Sequence, residues 1–199
     1  QSVFLAGIGV IKNELETEIL KQKKIGHTGT LDPEAEGVLV ICLGNATKVC
    51  DILPDHDKVY EAVMRLGITT DTEDITGTVL SEQPVHEKDY DRLQLETVLN
   101  MFRGSYWQVP PMYSAIKKNG KKLYELARQG QVVERSPRKV MIYHLEMLQA
   151  DLPKVSLKIA CSKGTYIRSL CRDIGEELGC GACMEQLIRT QACGFFLAD

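Results

Sequence analysis

Ile25-Gly26-His27-Thr28-Gly29-Thr30-Leu31-Asp32-Pro33-Glu34-Ala35-Glu36-Gly37-Val38-Leu39-Val40-Ile41-Cys42-Leu43-Gly44-Asn45-Ala46-Thr47-Lys48 is the stretch that organises this chain. Its opening run of small residues lets backbone approach a ligand closely. Asp32 precedes Pro33 and is therefore pushed out of the α region, onto extended or turn backbone. Val38 to Leu43 is apolar and largely β-branched between two glycines, which predicts a fully buried strand. An acidic side chain is thus held on a stiff loop against a core strand. Three readings fit: an Asx-type turn, a phosphate loop, or a catalytic carboxylate with a histidine nearby. The phosphate loop lacks Gly-x-x-x-x-Gly-Lys-Ser/Thr. Between the other two, these residues alone do not choose.

The chain has 199 residues, enough for one good core, with ordinary apolar (44%) and charged (26%) content. No apolar run approaches the ~18 residues of a membrane span. Ser2 to Val10 lacks the basic flank and cleavage site of a signal peptide, so a cytoplasmic setting is expected. Seven cysteines, an odd number set mostly in apolar or helical patterns, agree with it. Cys180-Gly-Ala-Cys183 has no second ligand pair for zinc and follows a helix instead of opening one, so reduced structural thiols are expected. Net charge is −3, which argues mildly against non-specific nucleic-acid binding. Yet Lys117, Lys118, Lys121, Lys122, Arg128, Arg135, Arg138 and Lys139 face only Glu125 and Glu134, a local balance of +6. Such a cluster is either a solvated basic face or a footprint for phosphates.

In chain order, Asn13 caps a helix running through Lys24, with acids at its start and lysines at its end. Ala46 to Leu53 predicts a short helix stopped by Pro54. Lys58 to Ile68 alternates as a half-buried strand. Thr69 to Gly77 is an acidic turn, read as a solvated loop, and Thr78 to Val85 is a strand. Leu95, Val98, Leu99 and Phe102 sit at helical spacing in a helix from Asp89 to Phe102, closed by Gly104. Residues 105–137 are irregular and basic, with a tight turn at Asn119-Gly120 and a short helix from Leu123 to Gln129. Lys139–Leu148 and Val155–Cys161 form an antiparallel pair. Thr165–Leu178 is an amphipathic helix with Ser162 as the polar cap before it, and Gly194–Leu197 is a last strand. Mixed elements without regular βαβ alternation imply an α+β domain with a mostly antiparallel sheet.

Gly26-His27-Thr28-Gly29-Thr30-Leu31-Asp32-Pro33, with Gly37-Val38-Leu39 and Gly44-x-Ala46-Thr47-Lys48, resembles the active-site motif of the TruB family, the tRNA pseudouridine-55 synthases. The resemblance extends through Asp57-Lys58-Val59-Tyr60-Glu61-Ala62, Leu66-Gly67-x-x-Thr70-Asp71-Thr72, Pro111-Met112-Tyr113-Ser114-Ala115-Ile116-Lys117 and Cys161-Ser162-Lys163-Gly164-Thr165-Tyr166-Ile167-Arg168. It implies the pseudouridine synthase fold, a central mixed sheet with flanking helices, as one catalytic domain over residues 1–199. Residues 105–137 would be its RNA-gripping insertion, carrying Lys117, Lys121 and Lys122. Residues 1–18 lack the family's Lys-Pro-x-Gly-x-Thr-Ser, and a C-terminal RNA-binding appendage is expected to be missing.

The implied reaction converts uridine 55 of the tRNA T-loop to pseudouridine, needs no cofactor, and is carried by a monomer. By resemblance Asp32 is the nucleophile or base, Arg168 its partner, and Tyr60 the residue stacked on the base. Leu187 is a wall of the base pocket. His27 contacts the stack vacated when the base flips, and Lys48 answers a phosphate. A catalytically weak RNA-binding or RNA-folding module is the alternative. A nucleoside hydrolase using Asp32 as a glycosidic carboxylate is a remote third, since the sequence offers no obvious second acid partner.

Overall fold

The computed structural model describes residues 24–48 and 57–197. The expected Asn13 helix, most of the expected 46–53 helix, Cys50 and the divergent residues 1–18 lie outside them. The described chain opens with β1 (Ile25–His27), β2 (Glu36–Gly37) and β3 (Ile41–Leu43), followed by a 3-10 turn over Gly44–Lys48. β1 and β3 form a two-stranded antiparallel ribbon. The continuous buried strand expected from Val38 to Leu43 is therefore shorter and only half-buried. Val38, Val40 and Cys42 face inward, whereas Leu39, Ile41 and Leu43 remain partly open. Among the described strands, β3 pairs with β1 in a separate two-stranded sheet and not with the main sheet, where a strand would be covered more fully.

β4 (Lys58–Leu66) buries every second residue, as its alternation predicts. It continues through Gly67 into β5 (Ile68–Thr70), which pairs with β6 (Val79–Glu82). α1 (Arg92–Phe102) starts at Asp91, whose carboxylate accepts from the Gln94 N–H while the Gln94 side chain accepts from the Asp91 N–H. This reciprocal cap satisfies two of the four orphan donors at the helix start. Leu95, Leu99 and Phe102 are its buried face.

The segment expected to be irregular after α1 instead begins with β7 (Gly104–Gln108), an edge strand paired to the later β10. Its five residues include Gly, Ser and Gln, too polar for a strand pattern; the long partner strand supplies the missing incentive through backbone hydrogen bonds. β8 (Lys117–Lys118) and β9 (Lys121–Lys122) make the hairpin foreseen at Asn119-Gly120, both with positive φ, and α2 (Leu123–Arg128) follows. β10 (Arg138–Asp151) and β11 (Lys154–Cys161) are the expected antiparallel pair. α3 (Ile167–Glu177) is the amphipathic helix, but Ser162 does not cap it. The Ser162 hydroxyl accepts from the Met141 N–H, and Tyr166 stands at the N-cap without capping the helix through its side chain. Its entry is held instead by Gln108, which accepts from the Tyr166 N–H at 2.8 Å and donates to the Tyr166 carbonyl at 3.0 Å.

The element that sequence patterning misses is β12 (Ala182–Ala192), which lies beside β4 at the centre of the main sheet. Its register shifts at Met184/Gln186 and Arg189/Gln191, and two bulges break the period-two pattern that would have announced it. β13 (Phe195–Phe196) closes on β12, so the main sheet runs β13-β12-β4-β11-β10-β7, with β2 added parallel to β12. α1 and α3 pack on one face of it. There Met64, Leu66, Leu99, Leu157, Ile159 and Leu170 build the core.

Six cysteines lie among the described residues, and no disulfide joins any two of them. Burial pushes Cys161 and Cys183 up to about 11, and raises Cys171 as well. A raised pKa keeps a thiol protonated at pH 8, and the thiolate is the reactive form. Among the described cysteines, iodoacetamide is expected to modify half-buried Cys193 first and the other five only after denaturation. Peptide mass mapping checks this; rapid native labelling of Cys180 and Cys183 together would contradict it.

Candidate active site

Asp32 leaves the β1–β3 ribbon on a turn closed by the Ala35 N–H donating to the Asp32 carbonyl at 3.0 Å. The loop then drops onto β12, where the Val38 N–H donates to the Arg189 carbonyl at 2.8 Å. Gly37, at φ +107°, makes that approach possible, because a Cβ there would stand 2.2 Å from the Arg189 carbonyl oxygen.

Arg168, on the first turn of α3, meets Asp32 with two parallel bonds, Nε to Oδ2 at 2.8 Å and Nη2 to Oδ1 at 2.9 Å. The rest of its fork is spoken for. Nη1 donates to the Thr72 carbonyl at 3.0 Å and lies 3.7 Å from Asp74, and Nη2 also donates to the Tyr113 carbonyl at 2.9 Å. Arg168 is buried, while the Asp32 side chain remains about one-third open. A planar guanidinium holding a carboxylate on two prongs fixes both its position and its orientation, which an ammonium cannot do.

Asp32 opens onto a cleft of about 470 Å³ whose other walls include Glu34, Asp74, Ile75, Leu187 and Ile188. Leu187 thus lines the same cleft as Asp32, with its side chain also in the core. Tyr60 is buried on β4, in register with Arg189 of β12. Burial drives its phenol up to about 12, against the opposing pull of the Arg189 cation; the Asp32 charge adds a smaller push upward. His27 sits half-buried at the end of β1, and Lys48 is exposed at the end of the 3-10 turn. Neither they nor the hairpin lysines line the cleft. Lys117 and Lys121 are exposed on the hairpin, while Lys122 lies over the Tyr124 ring, 5.3 Å from its centroid. The hairpin is tethered to the site all the same, because the Tyr113 carbonyl that meets Arg168 lies just upstream of it.

The acidic turn from Thr69 to Gly77 is not a solvated loop. Glu73 is buried, at φ +65°, accepting from the Ser169 hydroxyl at 2.5 Å and forming an ion pair with Arg172. Asp74 accepts from the Thr72 hydroxyl at 2.9 Å and from the Thr76 hydroxyl and N–H, and it faces Arg168. The arginines of α3 supply the attraction that draws this turn inward, and no local pattern contains them. The signal that was available is the position of Thr70-Asp71-Thr72, already part of a recognised motif. Arg189, wholly buried on β12, is likewise outside that reading; a lone arginine following Leu187-Ile188 marks it.

The family model described as TruB family pseudouridylate synthase (N terminal domain) matches residues 17–167. A second, described as tRNA pseudouridylate synthase B C-terminal domain, matches residues 168–199, the part of the chain that supplies nearly all of α3 and adds β12 and β13 to the main sheet. Among curated proteins, the tRNA pseudouridine synthase B of Lachnoclostridium phytofermentans is 62% identical over 189 residues, covering 91% of this chain and 61% of its own length. That of Stutzerimonas stutzeri is 54% identical over 181 residues, covering 91% of this chain and 58% of its own. The chain therefore spans about three-fifths of the length of these relatives. Among solved structures, a chain of a Cbf5-Nop10-Gar1 complex superimposes with TM-score 0.66 at 32% identity, covering 94% of this chain and 45% of that one. A chain of an H/ACA RNP bound to a substrate RNA containing 2'-deoxyuridine gives TM-score 0.62 at 29% identity, covering 94% and 43%.

Proposed function

This chain belongs to the TruB family of pseudouridylate synthases, and from that premise we propose that it isomerises uridine 55 in the T-loop of tRNA to pseudouridine. The observation that carries the reading is the two-pronged Arg168–Asp32 pair at the mouth of the cleft. The reaction breaks the N1–C1′ bond, turns the base, joins C5 to C1′ and releases the C5 proton, which N1 regains from solvent. Atoms and electrons balance without an external oxidant or group donor. Asp32 supplies the carboxylate that attacks or deprotonates, Arg168 holds it aimed with two parallel bonds, and Leu187 and Tyr60 bound the base. His27 occupies the stack that the flipped base leaves, and Lys48 meets a backbone phosphate.

The charge distribution supports this division of labour. The cleft is lined by Asp32, Glu34, Glu36, Asp74 and Glu185. A phosphate is repelled there, and a neutral uracil is not. The basic hairpin outside it gives the RNA backbone its seat. The unit so described is a single catalytic domain whose insertion at residues 105–137 grips the T-arm; it works as a monomer in the cytoplasm. None of the helices among the described residues is long and apolar enough to cross a membrane. Tritium release from unmodified tRNA carrying C5-labelled uridine tests the activity directly, and its absence in the parent chain would refute this reading.

The hairpin has its own test. Lys117 and Lys121 are exposed, whereas Lys118 donates to the Glu134 carbonyl and Lys122 to the Tyr124 hydroxyl. Replacing all four by alanine is expected to weaken tRNA binding and flatten the slope of log K against log salt by roughly 1.5 to 3, at about 0.7–0.9 per phosphate contact. Single-turnover rate at saturating tRNA should change far less. A solubilising face would leave both affinity and slope unchanged.

A further inference from the structure

Arg189 is wholly buried, and among the described residues it forms no ion pair with a carboxylate. Its guanidinium is given over to backbone oxygens: Nε donates to the Val38 carbonyl at 2.6 Å, Nη2 to the Gly29 carbonyl at 3.2 Å and Nη1 to the Thr30 carbonyl at 3.4 Å. Its own carbonyl accepts the Val38 N–H. Gly29 and Thr30 lie just before Asp32, and Val38 lies six residues after it. One side chain therefore ties the entrance of the Asp32 loop to its exit and anchors both to β12.

The arrangement is a poor one for stability alone. A second cation, Lys58, is buried beside Arg189 under Gly29, where a Cβ would stand 3.0 Å from Lys58 Cε and 3.8 Å from Arg189 Nη1. Burial first, and the Arg189 cation second, pull the Lys58 ammonium pKa down. Two adjacent buried cations repel, and an apolar residue of similar volume on β12 would avoid that cost. What an apolar residue lacks is a planar set of donors able to gather three carbonyls from two ends of a loop.

We propose that Arg189 is a positioning residue for the isomerisation: it clamps the Asp32 loop from the floor of the sheet while Arg168 aims the carboxylate from α3. Tyr60 stands in register with Arg189 on the neighbouring strand β4, so the base-stacking residue adjoins the same clamp. The inference rests on the pseudouridine synthase reading above and adds to it a residue with no contact to the base.

Arg189→Lys keeps the charge but replaces three spread donor nitrogens by one, which cannot reproduce the three-carbonyl geometry, and Arg189→Met removes all three bonds. In each, amide exchange across residues 26–40, tRNA affinity, melting temperature and single-turnover rate at saturating tRNA are measured together. For Arg189→Lys the expected result is faster exchange confined to that loop, affinity within about threefold, and a rate roughly 10²-fold lower, the scale of a misplaced reacting group. Arg189→Met should lose at least as much, and if it does not fold, the lysine variant carries the test. Parent-like exchange and rate in Arg189→Lys would overturn the proposal. So would exchange that rises through the whole sheet, with a rate that falls only in proportion to the folded fraction. If the parent itself makes no pseudouridine, the functional reading fails separately. In that case exchange across residues 26–40 in Arg189→Lys still decides whether Arg189 holds the loop.

Discussion

Asp32→Asn is expected to abolish C5 tritium release, a loss of roughly four orders of magnitude or more, as for removal of other essential nucleophiles. The amide is isosteric with the carboxylate and can accept one of the two bonds that Arg168 now gives it. The fold and the cleft should therefore survive, at a cost of about 1–3 kcal/mol, less than the full price of breaking a buried pair. Two features soften the loss: Asp32 is partly open to solvent, and Asp74 still faces Arg168 at 3.7 Å. tRNA affinity should hold or rise slightly, since one negative charge leaves a cleft that repels phosphates. Filter binding and thermal melting run beside the tritium assay separate these effects. Release at the parent rate would show that Asp32 is not the reacting carboxylate.

Arg168→Lys should be nearly as harmful as Arg168→Met. The guanidinium makes four hydrogen bonds, to Asp32 twice and to the carbonyls of Thr72 and Tyr113. An ammonium is a point charge with a different reach; it can pair with Asp32 but leaves at least one buried carbonyl without its donor. The expected loss is roughly 10² to 10³-fold in single-turnover rate for lysine, since a carboxylate displaced by about 1 Å costs on the order of 10²-fold. The methionine variant adds an uncompensated Asp32 and Asp74 and about 3–5 kcal/mol of destabilisation, the range for breaking a buried pair. A lysine variant with most of the parent rate would mean that the charge of residue 168 matters and its fork does not.

Much of the scaffold around these residues follows from local rules. β4 announces itself by strict alternation from Lys58 to Leu66, α1 by the spacing of Leu95, Leu99 and Phe102, and the β8–β9 hairpin by Asn119-Gly120. In each case the deciding interaction lies within a few residues, so the sequence window contains it. β7 and β12 fail that condition. β7 owes its state to backbone bonds with β10, about thirty residues away, and β12 carries two bulges that disrupt its pattern.

The same division runs through the site. The sequence by itself determined that a carboxylate would stand on a constrained loop at Asp32, before a proline and between glycines, and its motifs pointed to Arg168 as a partner. Steric restriction at Asp32-Pro33 and the chemistry of the side chains act locally, and position in the chain is enough to specify them. Only the tertiary structure decided that Thr69–Gly77 folds inward onto Arg168 and Arg172, and that Arg189 rises from β12 to hold Gly29, Thr30 and Val38. Both depend on a cation meeting oxygens far away in the chain, from Asp74 with Arg168 to Gly29 with Arg189. A buried cation takes its meaning from the oxygens that surround it, and here folding alone assembles those oxygens.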